Sequence, residues 1–142
     1  MRMWMISWLS IIASVALAGG PREEVHAGVK VTFQYGAETN PTGIIEVATV
    51  FLDAMNQQKI DKMVGCVLEQ QKETWRSQLA KQQEKRDHSL DHILIFKGNY
   101  KMEGKKMRDQ LMARIHAKGP GDKGGMSFLM LFTDNKWVFV ID

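Results

Sequence analysis

The interval between hydrophobic residues changes along this chain, and each interval predicts a different element. Residues 3–18, MWMISWLSIIASVALA, carry no charge. Val29, Val31, Phe33 and Tyr35 alternate with Lys30, Thr32 and Gln34, a period of two that predicts one short strand. Ile44, Ala48, Phe51, Leu52 and Met55 follow at helical spacing, in a stripe wide enough for a well-buried helix. Asn40 is placed to cap it. Pro41 suits the first helical position, because the N–H it lacks would have no partner there. The helix is predicted to end near Asn56-Gln57-Gln58, and Asp61 to open a short second helix with Met63, Val64 and Val67. Residues 69–87 predict a third helix. Its stripe of Leu68, Trp75 and Leu79 is narrow, so it lies on the surface and is anchored by Trp75.

From residue 90 the period returns to that of strands. Leu90–Met102 and Lys106–Lys118 are predicted strands joined at Gly104-Lys105. A loop dense in turn residues, Gly119–Gly125, precedes a strand over Met126–Thr133. A tight turn at Asp134-Asn135-Lys136 leads to the last strand, Trp137–Asp142. Helices followed by consecutive strands make an α+β order, with a four-stranded antiparallel sheet packed on the helices. In the second of these strands, Leu111, Ala113, Ile115 and Ala117 oppose Gln110, Arg114, His116 and Lys118, so one face is core and one is wet. The last two strands are apolar on both faces. Met126, Phe128, Met130 and Phe132 oppose Leu129 and Leu131, while Trp137, Phe139 and Ile141 oppose Val138 and Val140. Both faces must be covered, the second by a partner subunit, an apolar ligand or the N-terminal strand.

The uncharged run at the start changes the picture of location. Arg2 precedes it, Ala16-Leu17-Ala18 ends it with a small-x-small site, and Gly19-Gly20-Pro21 follows. That is the order of a secretory signal peptide cut between Ala18 and Gly19. As a helix, residues 3–18 span about 24 Å, short of a hydrocarbon core of about 30 Å. The chain thus divides into a signal peptide at 1–18, a leader with a short strand at 19–40 and an α+β domain at 41–142. The expected location is secreted or periplasmic, with no membrane span left after cleavage.

Composition adds limits. The formal charge of +3, less Arg2, is too small to imply a nucleic-acid partner. Lys97, Lys101, Lys105, Lys106 and Arg108 cluster on the first hairpin, where Glu103 and Asp109 dilute them. Cys66 is the single cysteine and has no internal disulfide partner; it reads as a small buried hydrophobe. His88 and His92 are four apart, but across a helix-to-strand change, where an i, i+4 pair does not converge on a metal. The methionines outside the signal scatter over helices and both strand faces as core filling. No metal or cofactor is expected.

The segment 45–63, IEVATVFLDAMNQQKIDKM, with its Ala48, Phe51, Leu52, Ala54 and Asp61, and the four strands closing on Trp137 carry a likeness. Together they resemble the nuclear transport factor two-like superfamily, the cone-shaped α+β fold that includes ketosteroid isomerase. The resemblance covers residues 42–142. For proton-transfer enzymes of this kind it implies an acid or base in the cone with a hydrogen-bond donor facing it. His92, sharing a strand face with Leu90, Leu94, Phe96 and Tyr100 by phase, and Tyr100 as donor are the catalytic candidates. A ligand pocket would draw on Phe51, Met55, Trp75, Phe96, Phe128 and Met130. With no paired carboxylates, nucleophile motif or phosphate loop, the expected function is non-enzymatic. The module would dimerise through its sheet face, or hold a small apolar ligand or partner. An isomerase- or dehydratase-like enzyme using His92 is the alternative, and an envelope protein tethered by an uncleaved N-terminal helix is a further one.

Overall fold

The computed structural model describes residues 21–82, 86–122 and 124–142. The predicted signal peptide at 1–18 and its expected cleavage point between Ala18 and Gly19 lie outside the described residues. The described residues are α+β, with three α-helices and a six-stranded, mostly antiparallel sheet, where the sequence predicts a four-stranded one. β1 (Arg22–His26) and β2 (Val29–Phe33) form a hairpin. α1 (Thr42–Asn56), α2 (Ile60–Val64) and α3 (Lys72–Ala80) follow. The sheet is completed by β3 (Ser89–Met102), β4 (Lys105–Lys118), β5 (Met126–Thr133) and β6 (Lys136–Val140). Strand order in space equals order in sequence, and only β2 and β3 run parallel. The helices supply the long crossover that a parallel pair needs.

The two strands beyond the predicted four-stranded sheet lie in the segment 19–40, predicted as a leader with one short strand; that strand is β2, and β1 is the one the sequence does not predict. β1 has one apolar residue, Val25, which is exposed, so its sequence lacks the alternation that marks a half-buried strand. Pairing with β2 makes it a strand. The turn between them places Ala27 at φ 51° and Gly28 at φ 79°, the left-handed pair that suits a two-residue hairpin. The charges of β1 blunt that edge of the sheet. At the other edge, Phe139 N–H donates to the Cys66 carbonyl and Leu68 N–H to the Phe139 carbonyl, so β6 is partly covered by the chain leaving α2.

α1 starts at Thr42, one residue later than the sequence predicts, with Pro41 rather than Asn40 at the cap position. The Asn40 side-chain oxygen accepts from Thr42 N–H at 3.0 Å, and the Pro41 carbonyl accepts from Ile45 N–H. It ends with Gln58 at φ 57° and a bond from Lys59 N–H to the Ala54 carbonyl, which turns the chain sharply into α2. α3 stops at Ala80, short of the predicted 87. Beyond Leu79 no apolar residue remains to hold another turn against the sheet.

Two apolar clusters lie on opposite faces of the sheet. On the helix side, Ile44, Ala48, Phe51, Met55 and Trp75 pack with Val31, Phe33, Ile93, Ile95, Ile115, Met130 and Phe139. On the other side, Leu129, Leu131, Val138 and Val140 are buried with Met112, Tyr100 and Leu68, joined by Phe96, Met102 and Met107. The cover for the second face of β5 and β6 is therefore the far end of the chain's own β3–β4 hairpin. In a flat sheet β3 and β6, three ladder steps apart, lie about 14 Å from each other. Yet Tyr100 Oη donates to the Ile141 carbonyl at 2.7 Å, so the sheet is rolled.

Two bulges permit the roll. In β4, Gly98 pairs with Gln110 and Tyr100 with Met107, so the bulge takes in Arg108 and Asp109. Asp109 sits at φ 53° and its N–H donates to the Asn99 side chain. The shift puts Met107 on the same face as Met112 despite their odd separation. Gly98 is tight here: a Cβ on it would lie 3.0 Å from the Phe96 ring. In β3, Leu90 pairs with Ala117 and His92 with His116, with Asp91 as the bulged residue. Leu90 accordingly packs with the helix-side core, not with His92, Leu94 and Phe96 as an unbroken alternation requires.

Candidate functional site

The residues predicted to form a ligand pocket are mostly filled core. Phe51 is fully buried, stacked on Phe139 at 4.1 Å and edge-on to Trp75 at 5.8 Å and Phe128 at 5.2 Å. Met130 is also fully buried. Phe96 belongs to the opposite face of the sheet. Trp75 is more deeply placed than a surface anchor, at 8% exposure. Of the pocket set, Met55 borders an open space.

His92 and Tyr100 do share a face, the one turned away from the helices. They are eight residues apart on one strand, about 26 Å by strand rise. His92 Nε2 lies 2.9 Å from Thr32 Oγ1. The Tyr100 hydroxyl accepts from Gln71 Nε2 at 2.7 Å and donates to the Ile141 carbonyl. Each ring is engaged with a different part of the fold, so the two do not converge as an acid and its donor. Asp53 is exposed. Among the described residues no three of His, Cys, Asp and Glu gather to hold a metal ion.

The open space is a cleft of about 270 Å³ where α1 gives way to α2 and α3 crosses them. Met55, Ile60, Met63 and Leu79 supply apolar walls, with Gln58, Ala80, Gln82 and Arg86 completing the lining. The sharp turn at Gln58 is what brings Ile60 and Met63 against the end of α1. Arg86 owes its place to His88, two residues further along the chain. The Asn56 side chain donates to the His88 carbonyl at 2.8 Å and accepts from His88 N–H at 2.9 Å. His88, itself buried, donates from Nε2 to the Gly124 carbonyl at 2.8 Å. These bonds fasten the chain entering β3 to the end of α1. The Arg86 guanidinium donates to Gln82 Oε1 at 3.3 Å and lies 3.5 Å from Met126 Sδ.

Sequence spacing does not reveal this cleft. Met63 and Leu79 are legible as core, but Arg86 falls within the predicted solvated helix. No local signal marks it, because α3 ends before it and a tertiary bond to Asn56 sets its position.

Cys66 is half-buried and its thiol lies 3.5 Å from the Lys62 carbonyl; burial pushes its pKa up. The folded state therefore holds the thiol proton more tightly than the unfolded chain. The stability this contributes is full below the unfolded pKa and is lost as pH rises through the folded one. Alkylation of Cys66 by iodoacetamide at mildly alkaline pH is expected to be slower in the native protein than in denaturant, as followed by mass spectrometry. Equal rates would show that the thiol is not shielded.

Among the described residues no helix is long and apolar enough to cross a membrane. Comparison of the chain with protein-family models, with curated proteins and with solved structures finds no match.

Proposed function

We propose that this chain is an exported, non-enzymatic binding module of the nuclear transport factor two-like kind. In this reading its ligand site is the cleft between the helices. The observation that carries it is the cleft itself: apolar walls from Met55, Ile60, Met63 and Leu79, open to solvent and shared with the polar Gln58, Gln82 and Arg86. Concave spaces that combine apolar walls with a few polar groups are where small ligands bind. The helix–helix–helix–strand order and the match of Ala48, Phe51, Leu52, Ala54 and Asp61 support the family reading. The motive for a dimer through the sheet is weaker, since the chain's own hairpin covers the second face of β5 and β6.

The test is titration of the protein with the uncharged fluorophore N-phenyl-1-naphthylamine. Saturable binding to one site is expected in the wild type. It is expected to be lost in Ile60→Glu, a substitution at a half-buried wall position, with circular dichroism confirming that the variant folds. Absence of saturable binding by the folded wild type, or unchanged binding by folded Ile60→Glu, overturns the cleft as the site.

A further inference from the structure

Resting on the cleft reading, we propose that the ligand is a single-chain amphipathic anion, a medium-chain carboxylate whose head group meets Arg86. The arginines of this protein set the argument. Arg22 is paired with Glu24 and Glu38, Arg76 with Asp61 and Arg114 with Asp142. Arg108 has no carboxylate partner among the described residues but is exposed to water. Arg86 alone among the described arginines is half-buried and has no carboxylate partner among the described residues. A guanidinium carries five N–H donors, and among the described residues those of Arg86 meet an amide oxygen and a thioether. A carboxylate is the planar acceptor that matches the remaining fork.

The rest of the lining agrees in sign and in size. It contains no acidic residue, so Arg86 supplies its only formal charge among the described residues. A volume of about 270 Å³ corresponds to about nine water-sized groups at about 30 Å³ each. That fits a chain of about eight carbons with its head group and is far too small for a two-chain phospholipid. The chain would lie along Met55, Met63 and Leu79, where the two methionine thioethers adapt to a flexible tail.

The experiment is calorimetric titration with octanoate, octanol and octylamine, at low and at high salt. Octanoate is expected to bind at one site about tenfold more tightly than octanol, the worth of one charge-assisted hydrogen-bonded contact. The preference should shrink as salt rises. In Arg86→Gln the two ligands should bind alike, and Arg86→Lys should restore part of the difference. If octanol or octylamine binds the wild type as well as octanoate does, the anion inference is overturned and the cleft reading stands. If no eight-carbon ligand and no N-phenyl-1-naphthylamine binds, both fall.

Discussion

Replacing Phe51 with alanine is expected to cost about 3–5 kcal/mol of folding free energy. A single domain is typically stable by about 5–15 kcal/mol, so the variant would stand near the limit of folding at ambient temperature. Phe51 is fully buried at the point where α1, α3, β5 and β6 meet, with aromatic rings from the other three elements against its own. The gap left by alanine is walled by Phe139, Phe128 and Trp75. Trp75 belongs to the helix layer and Phe128 and Phe139 to the sheet, so filling the gap requires the helices to move onto the sheet. The cavity therefore persists, and its cost adds to the lost transfer energy. Urea unfolding should show a lower midpoint at unchanged slope. Val50→Ala is the control on the same helix: that side chain is 51% exposed, and its loss should change stability by no more than about 0.5 kcal/mol. A Phe51→Ala cost under about 1 kcal/mol would show that the layers close over the gap and that the aromatic cluster is not the keystone of the core.

Tyr100→Phe tests the roll of the sheet, with an expected cost of about 1–3 kcal/mol. The change opens no cavity and removes one oxygen. That oxygen joins three parts of the chain, accepting from Gln71 Nε2 and donating to the Ile141 carbonyl, while Gln71 Oε1 accepts from Ile141 N–H. Its removal leaves a half-buried amide and a carbonyl each short of a partner, which costs more than a hydrogen bond is worth on balance. The loss should appear locally as faster amide exchange at Ile141 and in the distal part of the β3–β4 hairpin. Tyr35→Phe, at a side chain 79% exposed, should change neither stability nor exchange. Unchanged exchange at Ile141 in Tyr100→Phe would mean that apolar packing of Phe96, Met102 and Met107 holds the roll by itself.

The rows of β5 and β6 illustrate how far pattern alone reaches. Phe128 and Phe139 are separable from Leu129 and Val138 by counting in twos, and the structure places the two rows on opposite faces. The start of α1 is legible to within one residue, because the Asn40 side chain and Pro41 act on the first turn next to them. The cover of the second row is not legible. The covering residues, Tyr100, Met102 and Met107, sit on a hairpin whose bend depends on a bulge at Arg108–Asp109. A bulge is a property of two strands in register, and it shifts the count by one. The same effect at Asp91 detaches Leu90 from the face of His92.

The candidate site divides in the same way. Met55, Met63 and Leu79 announce their burial through helical spacing, a signal carried by neighbours along the chain. Arg86 draws its place from Asn56 gripping the backbone of His88, a contact between residues 32 apart. Element type, helix starts and strand faces follow from short-range spacing and capping, and these are readable from the amino acids in order. The number of strands, the roll of the sheet and the meeting of the Arg86 guanidinium with the apolar walls of the cleft come from long-range pairing. Only the folded chain brings those groups together, since no local preference encodes a distant partner.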